Sequence, residues 1–484
     1  MQGNGLGTKV TKGLFWTFSE KVLANGVSFI VSLLLARLIL PEEYGLIALI
    51  TIFVNISNVF VESGFGNALI QKKNADDIDF HTVFWFEVAL SIIIYLILFV
   101  SAPWIANFYG ELELIEILRI YGIAVVLGSI KNVQHAYVSK NMEFRLFFFS
   151  TLGGTLASAV VGISMAYLGF GVWALVAQVL MNSFIDSVVL FVKIKWKPRF
   201  RFSYERLKSL YSYGWKLLAT GVLSTLYNNL YGLIIGKIFN TEQLALYNKG
   251  NSFPTLISNN VTGPIQSVTF PTLSLIQSDK KRLKSATKTT LIMTTYVLWP
   301  LILGMAAVAT PMITVLITER WLDCVVFLQI NAIATLFWPI SSANGQLINA
   351  VGRSGLSLKL DVIKKVVGVL LLLITIPFGI VPMAWGRALG QLFASICDAV
   401  PNKRIIGYGY LEQIKDLIPN IICNLVMFSI VYTINFVELN VYLKLVLQII
   451  IGIVVYLLLS IVFKLEGYKY VKLQINKIFR RKVK

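Results

Sequence analysis

The feature that most constrains this chain is a succession of apolar stretches, each close to the about 20 residues a helix needs to cross the ~30 Å hydrocarbon layer at ~1.5 Å per residue. About fourteen such stretches can be counted on that ruler. Their approximate cores are Leu14–Leu40, Tyr44–Ile70, Val83–Asn107, Leu112–Val138, Phe144–Leu168, Gly171–Val192, Tyr213–Phe239, Glu242–Leu273, Ala286–Thr310, Val325–Val351, Leu356–Phe378, Pro382–Ile406, Ile418–Phe436 and Val441–Phe463. Hydrophobic residues make up 56% of the chain and charged ones only 14%, against roughly 45–50% and 25% in soluble domains. An all-α integral membrane protein follows. The N-terminus is polar as far as Lys12 and then apolar for longer than the ~7–15 residues of a signal peptide, with no convincing cleavage site, so the first stretch is expected to stay.

Charge supplies an independent test of the span count. The net charge of +19 would suggest nucleic acid in a soluble protein, but the cations sit in short segments between apolar runs, so no nucleic-acid partner is implied. With both termini cytoplasmic, one set of loops holds Lys72 and Lys73, Lys140 and Arg145, the run from Lys193 to Lys208, Lys280 to Lys284, Arg353, Lys403 with Arg404, and the tail from Lys464. The opposite set is nearly bare of cations and holds Glu42, Glu43, Glu111, Glu113, Glu116, Glu242 and Glu438. This alternation keeps phase with an even number of crossings.

Aligning the chain with itself sets Arg37 on Lys237, Glu42 on Glu242 and Leu46 on Leu246, so the first two stretches correspond to the seventh and eighth. The expected organisation is a first lobe of six spans over residues 1–195, a basic linker at 196–212, a second six-span lobe over 213–410, and two further spans with a basic tail in 411–484. Parallel repeats of this kind enclose a central cavity that rocking opens to either side.

Polar residues inside the spans mark that cavity, because an ionisable group at the bilayer centre costs ~2.5–3.5 kcal/mol or more and must face water or a partner. The first span carries Glu20, Lys21 and Asn25, and the second Asn55, Asn58 and Glu62. Lys21 and Glu62 fall at similar depth, which suggests a pair that is either structural or a cation or proton site. The seventh span contributes Asn228, Asn229 and Tyr231, and the eighth Asn248, Lys249 and Asn251. Amides and aromatic faces bind sugars and a cation binds pyrophosphate, so the mixture suits a glycolipid headgroup; interhelical glue is the competing role for any single Asn. Lys249 cannot accept a hydrogen bond and demands an anion. Lys131, Asp186, Asp361, Lys364, Lys365, Arg387 and Asp398 read mostly as groups that snorkel from the outer parts of their spans.

Several function classes drop out. Cys324, Cys397 and Cys423 are far apart and His81 and His135 do not cluster in sequence, so no zinc site, disulfide framework or redox pair is expected. There is no phosphate-binding G-x-x-x-x-G-K-[ST] loop and no nucleophile–base cluster. No cofactor is called for, and any work must come from a proton or sodium gradient, the membrane potential or the substrate gradient. Glu62 is the candidate for ion coupling.

The segments LARLILPEEYGL (35–46), ESGFGNALIQKK (62–73), TVFW (82–85), GWKLL (214–218), LALYNKGNSFP (244–254), FPTLS (270–274) and PNKRIIGYGYLEQIKDLIP (401–419) resemble, in this order, the polysaccharide-transporter family of bacterial flippases. That family lies in the multidrug, oligosaccharidyl-lipid and polysaccharide exporter superfamily. The resemblance implies a V-shaped, two-lobe bundle that moves an undecaprenyl-pyrophosphate-linked oligosaccharide across the bacterial plasma membrane by alternating access, for exopolysaccharide, capsule, O-antigen or teichuronic-type polymers. It implies membrane lipids and polymerase or assembly proteins as partners, no enzymatic activity, and Lys21 and Lys249 as pyrophosphate contacts. Relatives often use several cavity arginines, of which the central spans here offer few. The alternatives are a multidrug or organic-cation antiporter of the same superfamily, or a polysaccharide polymerase or ligase, for which no external loop is long enough.

Overall fold

The computed structural model describes residues 3–62 and 64–472. Every regular element among them is a helix: α1 (Gly3–Leu38), α2 (Pro41–Glu62), α3 (Phe65–Gln71), α4 (Asp77–Tyr109), α5 (Leu114–Tyr121), α6 (Ile123–Asn141), α7 (Arg145–Tyr167), α8 (Val172–Lys193) and α9 (Tyr204–Ile238). There follow α10 (Thr241–Leu275), α11 (Lys280–Ala307), α12 (Ala309–Ile317), α13 (Cys324–Leu336), α14 (Trp338–Ala350), α15 (Ser354–Thr375), α16 (Ile380–Ile406), α17 (Tyr410–Thr433) and α18 (Val441–Val462), with three single turns of 3-10 helix between them. Each expected apolar stretch is thus helical. Four of them are broken internally: between α2 and α3 beside Gly64, at Gly122, at Val308 and at Phe337.

Nine segments of the described residues are long and apolar enough to span a membrane by length and composition. The five other expected stretches are helical too, but they hold polar residues such as Lys131, Asn228, Asn248, Lys364 and Arg387. Most of the basic tail, from residue 473, lies outside the described residues.

The chain forms two compact units, Met1–Ala245 and Leu246–Lys484. The boundary between these units lies early in α10, beyond the basic stretch at 196–212. The physical reason is the packing of α9 on α2 and α4. Gly232 and Gly236, a small-x-x-x-small pair, let α9 approach α2 so closely that a Cβ on either would strike Ile52 or Leu49.

Irregular chain runs only from 194 to 203, because Ser203 caps α9 by accepting from Arg206 N–H at 3.5 Å. This segment is strapped across the start of α4. His81 Nδ1 accepts from Arg199 N–H (3.2 Å), Thr82 Oγ1 from Ser203 N–H (3.1 Å), and Trp85 Nε1 donates to Arg199 O (2.9 Å). Trp196 stacks on the His81 ring at 5.2 Å. The TVFW segment and its preceding histidine are therefore the anchor of the strap.

The two hairpins matched by sequence self-alignment correspond element by element. α1 stops at Leu38 and α2 starts at Pro41; α9 stops at Ile238 and α10 starts at Thr241. The LPEEYGL segment forms the first tip, where the Glu43 carboxylate accepts from the Leu40 N–H (3.1 Å) and the Val172 N–H (3.0 Å) at helix starts. Gly45 lies against the Thr241 backbone, leaving no room for a Cβ.

Candidate functional site

The expected cavity residues fall on helix faces that repeat at three or four residues, the spacing of one side of a helix. On α10, Asn248, Ser252, Thr255 and Asn259 are all exposed and form one polar stripe. On α1, Lys21, Asn25 and Ser28 are exposed on one face. On α2, Asn55 and Glu62 are exposed and Asn58, between them on the same face, is half-buried. On α9, Thr220 and Asn228 are exposed, and Ser224 and Tyr231 of the same face are half-buried. Exposed amides and charges well inside apolar helices cannot be left to acyl chains, so each stripe needs water, headgroup or ligand beside it.

Three of the expected residues, Asn229, Lys249 and Asn251, lie off the stripes. Asn229 turns back to donate to Thr225 O at 2.8 Å, and Lys249, half-buried, points into the second unit. There its Nζ stands 5.4 Å over the ring of the wholly buried Trp321, so the face of an indole meets this cation. Asn251, one turn from Tyr247 on the packed side, is also half-buried. Tyr247 itself is 2% exposed and accepts from Arg387 Nη1 at 2.9 Å. α10 contains three prolines, Pro254, Pro264 and Pro271.

Among the described residues no ion pair joins Lys21 to Glu62. Glu20, the neighbour of Lys21, instead accepts from Thr151 Oγ1 on α7 at 3.1 Å. Matched depth was too weak a criterion, because the facing direction of each side chain decides contact.

Within the spans of the first unit, two groups that the sequence reading assigned to snorkelling, Lys131 and Asp186, meet instead. Lys131 Nζ lies 3.5 Å and His135 Nε2 lies 3.7 Å from Asp186 Oδ2, joining α6 to α8. Asp186 is only 5% exposed and so is no surface group. His135 therefore does cluster, in space though not in sequence. Glu87 on α4 is wholly buried, and both its oxygens accept from Asn132 Nδ2 at 3.0 Å. Lys131 and His135 are four residues apart on α6, and that spacing was the available signal; nothing in the spacing of Glu87 or Asp186 indicated their partners.

The second unit is built differently. Asp361 and Asp398 both bind Lys364, at 2.8 and 2.9 Å, so these charges pair within α15 and across to α16. Deeper, Asn344, Asn402 and Gln413 are wholly buried and bond one another: Asn402 Nδ2 and Gln413 Nε2 donate to Asn344 Oδ1 at 2.6 and 2.9 Å, and Asn344 Nδ2 donates to Gln413 Oε1 at 2.8 Å. Much of the PNKRIIGYGYLEQIKDLIP segment serves this hub, with Tyr408 buried and its hydroxyl donating to Asp416 at 2.8 Å. An almost wholly apolar cavity of about 720 Å3 opens among α11, α13, α16 and α17, lined by Trp299, Ile333, Trp385, Ile421 and Phe428. Among the described residues no group of three or more His, Cys, Asp or Glu side chains is arranged to hold a metal ion.

Membrane-length helices, polar stripes within them and buried charge are the attributes of a multi-span membrane transporter. In fold, the chain superposes on the structure of the lipid II flippase MurJ in its inward closed conformation with a TM-score of 0.74, over 94% of this chain and 98% of that one, at 16% identity. An inward-facing multidrug-resistance MATE transporter gives a TM-score of 0.63 over 80% and 94% of the two chains, at 15% identity. At such identities the likeness is one of fold.

The chain belongs to the polysaccharide biosynthesis protein family, whose model matches residues 34–326. It is 26% identical over 312 residues to the succinoglycan biosynthesis transport protein ExoT of Rhizobium meliloti, a match spanning 64% of this chain and 63% of that protein. It is 23% identical to the teichuronic acid biosynthesis protein TuaB of Bacillus subtilis, over 73% and 74% of the two chains. With the lipopolysaccharide biosynthesis protein WzxC of Escherichia coli the identity is 22%, over 84% of each.

Proposed function

We propose that this protein is a flippase for undecaprenyl-pyrophosphate-linked oligosaccharide repeat units, resident in the bacterial inner membrane with both termini cytoplasmic, and that it serves the synthesis of a surface polysaccharide. The observation that carries this reading is the exposed stripe Asn248–Ser252–Thr255–Asn259 on α10, echoed on α1, α2 and α9. A hydrated sugar head cannot enter hydrocarbon, so a path for it must offer hydrogen-bonding groups through the depth of the membrane while the polyprenyl tail stays in lipid. Amides and hydroxyls suit the sugars. Lys21 supplies a cation on the α1 face; Lys249, set on Trp321, acts from behind the α10 stripe. Transport proceeds by alternating exposure of these faces to the two sides of the membrane, and no covalent chemistry is needed.

The gradient that drives export enters through the first unit, with Glu62 at the end of the α2 stripe as the coupling carboxylate and a proton gradient, a sodium gradient or the membrane potential as the source. The names of ExoT, TuaB and WzxC, all tied to polysaccharide biosynthesis, support the substrate class. The buried carboxylates of the first unit favour a second reading, exchange of organic cations. Deletion of the gene separates the two. Accumulation of a lipid-linked saccharide on the cytoplasmic leaflet, with drug susceptibility unchanged, is the expected result; hypersensitivity to cationic drugs without that accumulation would overturn it. Restoring the gene with Lys21→Gln should leave most of the saccharide untransported.

A further inference from the structure

A groove of about 520 Å3 runs along the first unit where the ends of α4 and α9 meet α2. Its volume falls in the range of about 300–1,000 Å3 typical of small-molecule sites. The floor is apolar, formed by Phe53, Ile105, Leu233 and Ile234, and Tyr109 closes it by donating its hydroxyl to Leu233 O at 3.5 Å. Trp104 and Phe108 stand at its rim, 70% and 56% exposed.

One charged residue lines this groove, Lys237. Its ammonium donates to Phe108 O and stands 4.3 Å over the Phe108 ring, so both identified partners are neutral. Among the described residues no carboxylate lies within ion-pair distance of it. Glu111, in the same corner, is engaged by Thr241 Oγ1 at 3.2 Å. The site is therefore amphipathic and positive at one end.

The groove also has a definite place across the membrane. α4 begins under the basic strap and needs its full 33 residues to reach Tyr109, a rise of about 50 Å at ~1.5 Å per residue. Lys237 thus lies at the membrane face opposite the strap, among exposed aromatic rings of the kind that settle at headgroup depth.

We propose that this groove holds one anionic glycerophospholipid of the leaflet opposite the basic strap, its phosphodiester on Lys237 and one acyl chain along Phe53, Ile105, Leu233 and Ile234. The neutral surroundings of the ammonium give the preference for net negative charge, and the rim rings clasp the glycerol region. The site does not depend on which substrate the protein carries.

Native mass spectrometry of the full chain, titrated with phosphatidylglycerol and with phosphatidylcholine of equal chain length, tests this. The wild-type protein should retain phosphatidylglycerol preferentially. Lys237→Gln should lower that affinity roughly fivefold, as loss of one surface cation implies, and narrow the lead of phosphatidylglycerol over phosphatidylcholine. Lys197→Gln, in the strap, should leave the preference intact, and Trp104→Ala should weaken both lipids together. The proposal is overturned if Lys237→Gln keeps the full preference, if the wild-type protein has none, or if millimolar inorganic phosphate displaces the lipid, which would make the site one for a free anion.

Discussion

The two units bury polar groups in opposite ways. In the first, carboxylates predominate: Glu87 rests on one amide, and Asp186 faces Lys131 and His135. In the second, Asn344, Asn402 and Gln413 close on themselves as neutral amides. Neutral amides that bond one another hold one arrangement, and losing one strands the donors of the others. Charged groups with partly exposed partners respond to ions and to solvent. The second unit also holds a buried ion pair, Asp398 with Lys364, so the contrast lies between its amide hub and the carboxylates of the first unit.

Three measurements would break or sharpen that contrast. The largest effect on stability is expected from Asn344→Ala, which leaves the Asn402 and Gln413 amides without their shared acceptor, at a cost of about 1–3 kcal/mol each. Thermal unfolding of the purified protein should fall markedly, while export per folded molecule stays near normal; an unchanged midpoint would show that the amide hub holds nothing together. Asp186→Asn should do the reverse. Its partners Lys131 and His135 retain 30% and 38% side-chain exposure, so solvent relieves them and the stability loss should be only about 1–2 kcal/mol. Export of lipid-linked saccharide, followed by its build-up in cells, should drop severalfold, and a variant that exports normally would remove this cluster from the working machinery.

The smallest effect concerns Asp76, outside the spans, whose carboxyl is held below its ordinary range chiefly by the Asp79 N–H, with Arg206 and Lys72 adding to it. A group with a depressed value contributes stability above its unfolded pKa of about 3.9 and loses it as pH falls through the folded value. The unfolding midpoint of Asp76→Asn should therefore lie slightly below wild type at pH 7, and the gap should close in acid. A gap that widens in acid would contradict the capping role.

Much of the fold was legible because hydrophobic periodicity reports directly on helices in lipid. The interruptions at Gly122 and Phe337 were not, since apolar sequence continues through both. The hairpin correspondence was visible in Arg37 and Lys237, and the turns fall where it requires. The basic charge at 196–212 marks a loop, as read, while the contact of α9 with α2 rests on the Gly232 and Gly236 spacing, which charge does not report. Polar residues could be located in the spans, but which of them meet depends on the rotation of each helix. That is why Lys249 turned to Trp321 and Lys131 found Asp186, neither of which the sequence foretold.

Proline carries a less obvious consequence in α10. A helical proline has no N–H to return to the carbonyl four residues before it. Pro254, Pro264 and Pro271 therefore deprive Gly250, Asn260 and Ser267 of their backbone donors, in the same helix that bears the amide stripe. Asn260 and Ser267 are exposed, so their main-chain oxygens add to the polarity of this helix, whereas Gly250 is buried against Cys324 and Phe327. Replacing every stripe residue with alanine would still leave those oxygens in place.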